Sequence, residues 1–217
     1  MPEFNERKYF VAVAGNIGVG KTTLAHALAT QLDWRCCLEP VIDNPYLDDF
    51  YADMSRWAFH LQVYFLSKRF EIQREIEQSQ CSCVQDRTIY EDVEIFAQTL
   101  NRRGHLVNRD WDNYRALFDT MISYVRLPDL IIYLRCDVNT LLRRIEHRGR
   151  TSEKSINPDY LAELNQAYDA WIARAASQFR VAVLDTGVEQ ELNAAEVLDQ
   201  CLNLLKLKLQ LEMPLSK

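Results

Sequence analysis

No window of the 217-residue chain approaches 18 apolar residues, the length at which a segment reads as a membrane span. The opening Met1-Pro2-Glu3-Phe4-Asn5-Glu6-Arg7 also lacks the apolar core of a signal peptide, so a soluble, cytoplasmic protein with no membrane partner is expected. Cysteine is present six times, at Cys36, Cys37, Cys81, Cys83, Cys136 and Cys201, but no two form a Cys-x-x-Cys pair and none lies near a histidine at zinc spacing. A structural zinc site is thereby disfavoured, and the six are expected as small core residues in a reducing compartment. Positive charge is in deficit, with 25 Lys and Arg against 31 Asp and Glu and a net charge of -6. This argues against a nucleic-acid partner, because such binding is led by Lys and Arg contacts to phosphate. A small anionic ligand stays open, since a local basic cluster decides that. No internal repeat, low-complexity segment or long linker interrupts the chain, and 48% hydrophobic content suits a single domain over residues 1–217.

What is present centres on one stretch. The apolar run Tyr9-Phe10-Val11-Ala12-Val13-Ala14 leads without a break into Gly15-Asn16-Ile17-Gly18-Val19-Gly20-Lys21-Thr22-Thr23. A strand, a glycine-rich turn and a Lys-Thr pair in this order read as a phosphate-binding loop. Backbone N–H groups would wrap the phosphates, Lys21 would reach the outer ones, and the Thr22 hydroxyl would meet a magnesium ion. A helix with Leu24, Leu28 and Leu32 on one face would add its positive N-terminal end.

Four further apolar runs follow, at 34–39, 81–86, 130–134 and 180–185, separated by stretches of helical periodicity. The pattern predicts an α/β fold with a central five-stranded parallel sheet, right-handed crossovers and flanking helices. Three of the runs end in carboxylates, Glu39, Asp86 and Asp185, which a parallel sheet would deliver to the edge where ligands bind. Helices are expected over 46–51, 55–78, 89–102, 111–124, 158–176 and 194–205. Beyond them, 205–211 alternates with period two, although a frayed helix is favoured there. Gln62 and Arg69, seven residues apart on one helical face, would by spacing alone be solvated. Arg143, Arg144, Arg148 and Arg150 crowd into eight positions, which suits a lid closing over phosphates.

Together these parts fit phosphoryl transfer, which needs positioning and charge neutralisation more than covalent chemistry. Lys21 and the loop would hold the donor, Thr22 and Asp86 a Mg²⁺ ion, and Glu39 would accept the proton of an attacking hydroxyl.

Gly15 to Thr23, Glu39-Pro40, Asn44-Pro45-Tyr46-Leu47 with Phe50-Tyr51, Asp86-Arg87-Thr88-Ile89-Tyr90-Glu91-Asp92 and Arg148-Gly149-Arg150 together resemble the deoxyribonucleoside kinases, most closely the bacterial deoxyadenosine and deoxyguanosine kinases. The resemblance covers almost the whole chain in order. It implies a P-loop kinase fold with an arginine-rich lid at about 143–155, and transfer of the ATP γ-phosphate to the 5′-hydroxyl of a deoxynucleoside in nucleotide salvage. Matched residue by residue, it implies Glu39 as general base, with Arg87 paired to it and Lys21 on the phosphates. Tyr51 and Glu153 are implied at the sugar 3′-hydroxyl, Gln62 at the nucleobase, Arg69 and Asp92 as a charged pair beside it, and Arg144, Arg148 and Arg150 as lid arginines. It also suggests a homodimer. The chain departs from animal members at Asp86, where they often carry Glu, and at Asn44, where they carry an aromatic residue. An ion pair beside the base suits the polar edge of a purine or cytosine better than the thymine methyl, and the purine is favoured.

The nearest alternative is a nucleoside monophosphate kinase of the thymidylate kinase kind, which would need a cationic site for the acceptor's own phosphate. A GTP switch should carry Asn-Lys-x-Asp, which is absent.

Overall fold

The computed structural model describes residues 7–38, 44–150, 153, 156–187 and 194–210. In chain order the elements are β1 (Phe10–Gly15), α1 (Lys21–Leu32), β2 (Arg35–Cys37), α2 (Leu47–Ala52), α3 (Met54–Gln78), β3 (Cys83–Asp86), α4 (Ile89–Glu91), a π-helical turn (Asp92–Ala97), α5 (Gln98–Arg102), α6 (Asn108–Ile122), β4 (Leu130–Arg135), α7 (Val138–Arg148), α8 (Pro158–Ala175), β5 (Val181–Asp185) and α9 (Ala194–Leu209). The five strands form one parallel sheet in the order β2-β3-β1-β4-β5. No helix among the described residues is long and apolar enough to cross a membrane.

β1 is buried along its whole length, as is β4 up to Arg135, because both sit inside the sheet with helices on either side. The two-residue period of a strand divides their side chains between two cores. Val11, Val13, Leu130, Ile132 and Leu134 join Leu24 and Leu28 of α1 and Cys201, Leu205 and Leu209 of α9. Ala12, Ala14, Ile131 and Tyr133 join Leu61 and Leu66 of α3, Tyr114 and Phe118 of α6, and Tyr168 and Trp171 of α8. The alanines of β1 are small where the large aromatic residues of the second core press on the sheet.

Helix boundaries follow local chemistry. The Asp53 side chain accepts from the Arg56 N–H at the start of α3, and Asn157 accepts from the Asp159 N–H with Pro158 in the first turn of α8. These satisfy orphan donors that a helix start leaves open. α7 closes at Gly149, whose φ of +69° is the left-handed conformation such ends adopt. In the C-terminal stretch, Cys201, Leu205 and Leu209 are buried at four-residue steps. That spacing makes a helix as far as Leu209 and overrides the period-two alternation; residues 211–217 lie outside the described residues.

Two expectations need correction. The stretch 89–102 is not one α-helix: a π-helical turn spans Asp92–Ala97, with the Gln98 N–H reaching the Val93 carbonyl. The extra residue in that turn accompanies two separate contacts, Asp92 with Arg69 and Phe96 beneath Arg87, and such turns recur at functional sites. The cysteines are not all core residues either. Cys37, Cys83, Cys136 and Cys201 are buried, but Cys36 is half-buried and Cys81 exposed, because Cys81 precedes β3 in a surface turn.

Strands are added on one side of β1 as far as β3 and on the other side from β4 onward, so the strand order reverses there and leaves the carboxyl ends of β1, β3 and β4 adjacent, the position at which open α/β sheets bind ligands. The loop after β1 is pressed against α7. A Cβ on Gly18, whose φ is +83°, would stand 2.7 Å from Ile145 Cγ1 and 3.1 Å from the Leu141 carbonyl oxygen. Gly18→Ala is therefore expected to lower stability by about 1–3 kcal/mol, read by urea denaturation; unchanged stability would contradict this packing of loop on helix.

Candidate active site

The loop residues Ile17 to Thr23 line a cleft of about 1020 Å³ that runs on to Gln62, Arg87, Asp92 and Phe96. Gly15 and Asn16 lie beneath it. Asn16 Nδ2 donates to the Leu161 carbonyl at 2.9 Å and to Asn165 Oδ1 at 2.7 Å, while its Oδ1 accepts from the Ile17 N–H at 2.7 Å. The loop is thus tied to α8. Lys21 is buried, and its Nζ donates to the Asn16 carbonyl at 2.9 Å across the loop. Gly20 lines the cleft with a φ of +104°, a backbone conformation that glycine adopts without steric cost.

At the end of β3, Thr22 Oγ1 donates to Asp86 Oδ2 at 2.5 Å. Asp86 is 1% exposed, and its other oxygen, Oδ1, is buried with no hydrogen-bond partner among the described residues. A carboxylate left half-satisfied beside a threonine hydroxyl is an oxygen donor set suited to a hard cation. No cluster of three or more His, Cys, Asp or Glu side chains able to hold a metal occurs among the described residues. A cation here would take its remaining ligands from phosphate and water, as Mg²⁺ commonly does.

The far end of the cleft is built from α3 and the π turn. Gln62 and Arg69 are 3% and 0% exposed, contrary to the solvated face that spacing alone predicts. The reason is tertiary: this face of α3 is turned inward, and Arg69 Nε donates to Asp92 Oδ2 at 2.6 Å. Ionic pairing of this kind is what makes two such side chains tolerable in a core. Burial, and after it the Asp92 charge, pushes the Tyr114 hydroxyl well above its ordinary pKa, so Tyr114 stays neutral against the pair. Gln62 Oε1 is buried with no partner among the described residues. Leaving an amide so is costly unless a ligand supplies the hydrogen bond.

Arg87 links the two ends. It has a φ of +66°, a conformation that costs a non-glycine residue about 1–3 kcal/mol. Its N–H donates to the Val13 carbonyl at 3.0 Å, its Nη1 donates to the Tyr168 hydroxyl at 2.8 Å, and its guanidinium lies 4.4 Å from the centre of the Phe96 ring. Tyr51 lines the same cleft, its ring edge-on to Phe50.

On the opposite wall the arginines have separate partners. Arg144 donates to the Val19 carbonyl at 3.1 Å and the Thr186 carbonyl at 2.9 Å, joining the loop to the segment after β5. Arg148 and Arg150 both donate to Glu153, which is 6% exposed. All four of Arg143, Arg144, Arg148 and Arg150 line the cleft. Glu39 and Pro40 lie outside the described residues.

Three residues on which the geometry leans carry no role in the sequence reading: Phe96, Tyr168 and Glu91. Glu91 is fully buried between the loop and the Asp86-Arg87 turn. Half of its role was visible in the Thr88-x-x-Glu91 spacing of a capping box, which the structure contains. Tyr168 has no local signal, since it sits among apolar residues of α8.

The chain is similar to known proteins over most of its length. A family model described as Deoxynucleoside kinase matches residues 11–206. A deoxyadenosine/deoxycytidine kinase of Bacillus subtilis is 40% identical over 195 residues, covering 88% of this chain and 90% of the relative. A deoxyguanosine kinase of the same organism is 34% identical over 164 residues, covering 75% and 78%. The structure of an M. mycoides deoxyadenosine kinase with bound products superposes with a TM-score of 0.82 at 28% identity, over 91% of this chain and 98% of that one. A fold shared with that enzyme, a nucleotide-binding loop and a family match over most of the length lead to one conclusion: the chain belongs to the deoxynucleoside kinase family and is an ATP-dependent deoxynucleoside kinase.

Proposed function

We propose that the chain transfers the γ-phosphate of ATP to the 5′-hydroxyl of a purine deoxynucleoside, deoxyadenosine foremost, as a step of nucleotide salvage in the cytoplasm. The observation that carries the reading is one continuous cleft with the phosphate loop and the Thr22–Asp86 pair at one end and Gln62 beside the buried Arg69–Asp92 pair at the other. The donor belongs at the loop, where Gly15 to Thr23 and Lys21 meet its phosphates, with Mg²⁺ on Thr22 and Asp86. The acceptor belongs beside α3. An amide side chain offers a donor and an acceptor together, matching adjacent groups on the edge of adenine, and a fixed ion pair beside it disfavours the thymine methyl.

In this reading Glu39 takes the proton from the 5′-hydroxyl and Arg87 stands near the same oxygen. Tyr51 and Glu153 serve the sugar 3′-hydroxyl. Residues 143–155 act as a lid on the single domain 1–217, with Arg144, Arg148 and Arg150 offsetting charge that develops on the transferred phosphoryl group. Arg148 and Arg150 hold Glu153 in this structure, so closure on a phosphate would exchange part of that pairing. A homodimer is the proposed assembly. A second acceptor, deoxycytidine, is favoured by one observation, the name of the 40% identical relative, deoxyadenosine/deoxycytidine kinase.

A panel assay with ATP and each of deoxyadenosine, deoxyguanosine, deoxycytidine, thymidine and the corresponding monophosphates tests the assignment. Deoxyadenosine is expected to be phosphorylated most efficiently and thymidine least; phosphorylation of monophosphates alone would overturn it. Glu39→Gln, which keeps the shape and removes the base, is expected to lower turnover roughly 100-fold or more with ATP affinity retained. Near-normal turnover would remove Glu39 from the chemistry.

A further inference from the structure

Glu91 uses its two oxygens for different purposes. Oε2 accepts from the Thr88 N–H at 2.7 Å and from Thr88 Oγ1 at 3.1 Å. That closes the capping box of the short helix α4, and a local structural role explains it fully. Oε1 is not needed for the cap. It accepts from the Gly15 N–H at 3.3 Å and from the Tyr168 hydroxyl at 2.8 Å, and it lies 3.9 Å from Arg87 Nη1. Gly15 is the first residue of the phosphate loop, 76 positions away, and Tyr168 is on α8, 77 positions away. One carboxylate oxygen thus joins the donor loop, the Asp86-Arg87 turn and the helix to which Asn16 is also bound.

The direction of the hydrogen bonds is set by this carboxylate. An ionised Glu91 can only accept, so Tyr168 must donate its proton to Oε1. The phenol oxygen then turns its lone pair toward Arg87 Nη1, which donates to it at 2.8 Å. Tyr168 is held flat against Tyr133, with ring centres 5.6 Å apart and planes 14° from parallel, so the hydroxyl has little freedom to leave. Arg87, in its left-handed backbone conformation, is fixed from below by the Phe96 ring and from the side by this hydroxyl.

We infer that Glu91 and Tyr168 are positioning residues, which act through Arg87 and Gly15 to fix the acceptor-side guanidinium relative to the phosphate loop. The inference rests on the proposed function insofar as Arg87 serves the reacting 5′-oxygen. Neither residue lines the cleft, so neither would touch substrate. Their effect on the reaction comes from geometry, because small displacements of positioning groups lower turnover steeply.

Two variants separate this from the capping role. Tyr168→Phe keeps the ring and the capping box and deletes only the hydroxyl. Glu91→Gln keeps a carbonyl oxygen for the Thr88 N–H and puts an NH₂ where Oε1 accepted two protons. Both are to be measured for kcat, for KM of ATP and of deoxyadenosine, and for thermal midpoint. Tyr168→Phe is expected to lower kcat roughly tenfold, the size of losing one hydrogen bond to a charged group, with KM for ATP within about twofold and a midpoint lowered by the loss of a buried hydrogen bond but still well above the assay temperature. Glu91→Gln is expected to lose more, and the double variant no more than Glu91→Gln alone, because both cut one link. A Tyr168→Phe enzyme with kcat within twofold of the parent overturns the inference, as do losses that multiply in the double variant or a kcat that returns to the parent's when the assay is run further below the midpoint. If the parent chain phosphorylates no deoxynucleoside, the proposed function falls and takes this inference with it; an active parent with a silent Tyr168→Phe overturns the inference alone.

Discussion

The solvation of buried charge is the constraint on which the cleft depends. Lys21, Arg69 and Arg87, with Asp86, Glu91 and Asp92, are each exposed by 5% or less. Three cations and three carboxylates cannot sit in a core without water unless each finds opposite charge or several hydrogen bonds. The fold meets this by bringing the ends of β1 and β3, the inward face of α3 and one face of α8 to a single place. Arg69 is neutralised by Asp92 and Glu91 collects four donors beside Arg87, while Asp86, held by Thr22 through one oxygen, is the exception whose other oxygen is left for a ligand. Removing any one would strand its partner in a medium of low polarity, so the arrangement is rigid before a ligand arrives.

Rigidity of this kind suits phosphoryl transfer. The transition state gains from groups already in place, and a preorganised site does not reorganise at the moment of reaction. The strained backbone at Arg87 belongs to the same logic. Its left-handed conformation is held by a backbone hydrogen bond to β1, by the Phe96 ring and by Tyr168, three contacts from three parts of the chain. The opposite wall carries the surplus of positive charge, in Arg143, Arg144, Arg148 and Arg150. Basic groups thus face the place where phosphates would lie, although the chain as a whole is acidic.

Features that depend on neighbours in sequence were legible; those that depend on packing were not. All five strands coincide with their apolar runs, β1 and β4 running on by one residue to Gly15 and Arg135, since continuous hydrophobicity and flanking turns are local signals. The glycine loop declared itself through the strand before it and the helix after it. Gln62 and Arg69 read as solvated from helical spacing, and only the approach of Asp92 from the π turn explains their burial. The π turn itself left no trace, because its reason is the demand of Asp92 and Phe96 for different partners. Family resemblance singled out Arg69 and Asp92 where periodicity did not. Neither route pointed to Tyr168, whose hydroxyl is one polar atom among the aromatic residues of the core.

The central claim is that a single cleft holds donor and acceptor at once, phosphates at the loop and nucleobase beside α3. Calorimetry with a bisubstrate analogue, adenosine joined through a phosphate chain to the 5′-position of deoxyadenosine, tests it most directly. The account predicts one analogue bound per chain, more tightly than ATP or deoxyadenosine alone and displaced by either. An analogue that binds no better than ATP and is indifferent to deoxyadenosine would contradict it.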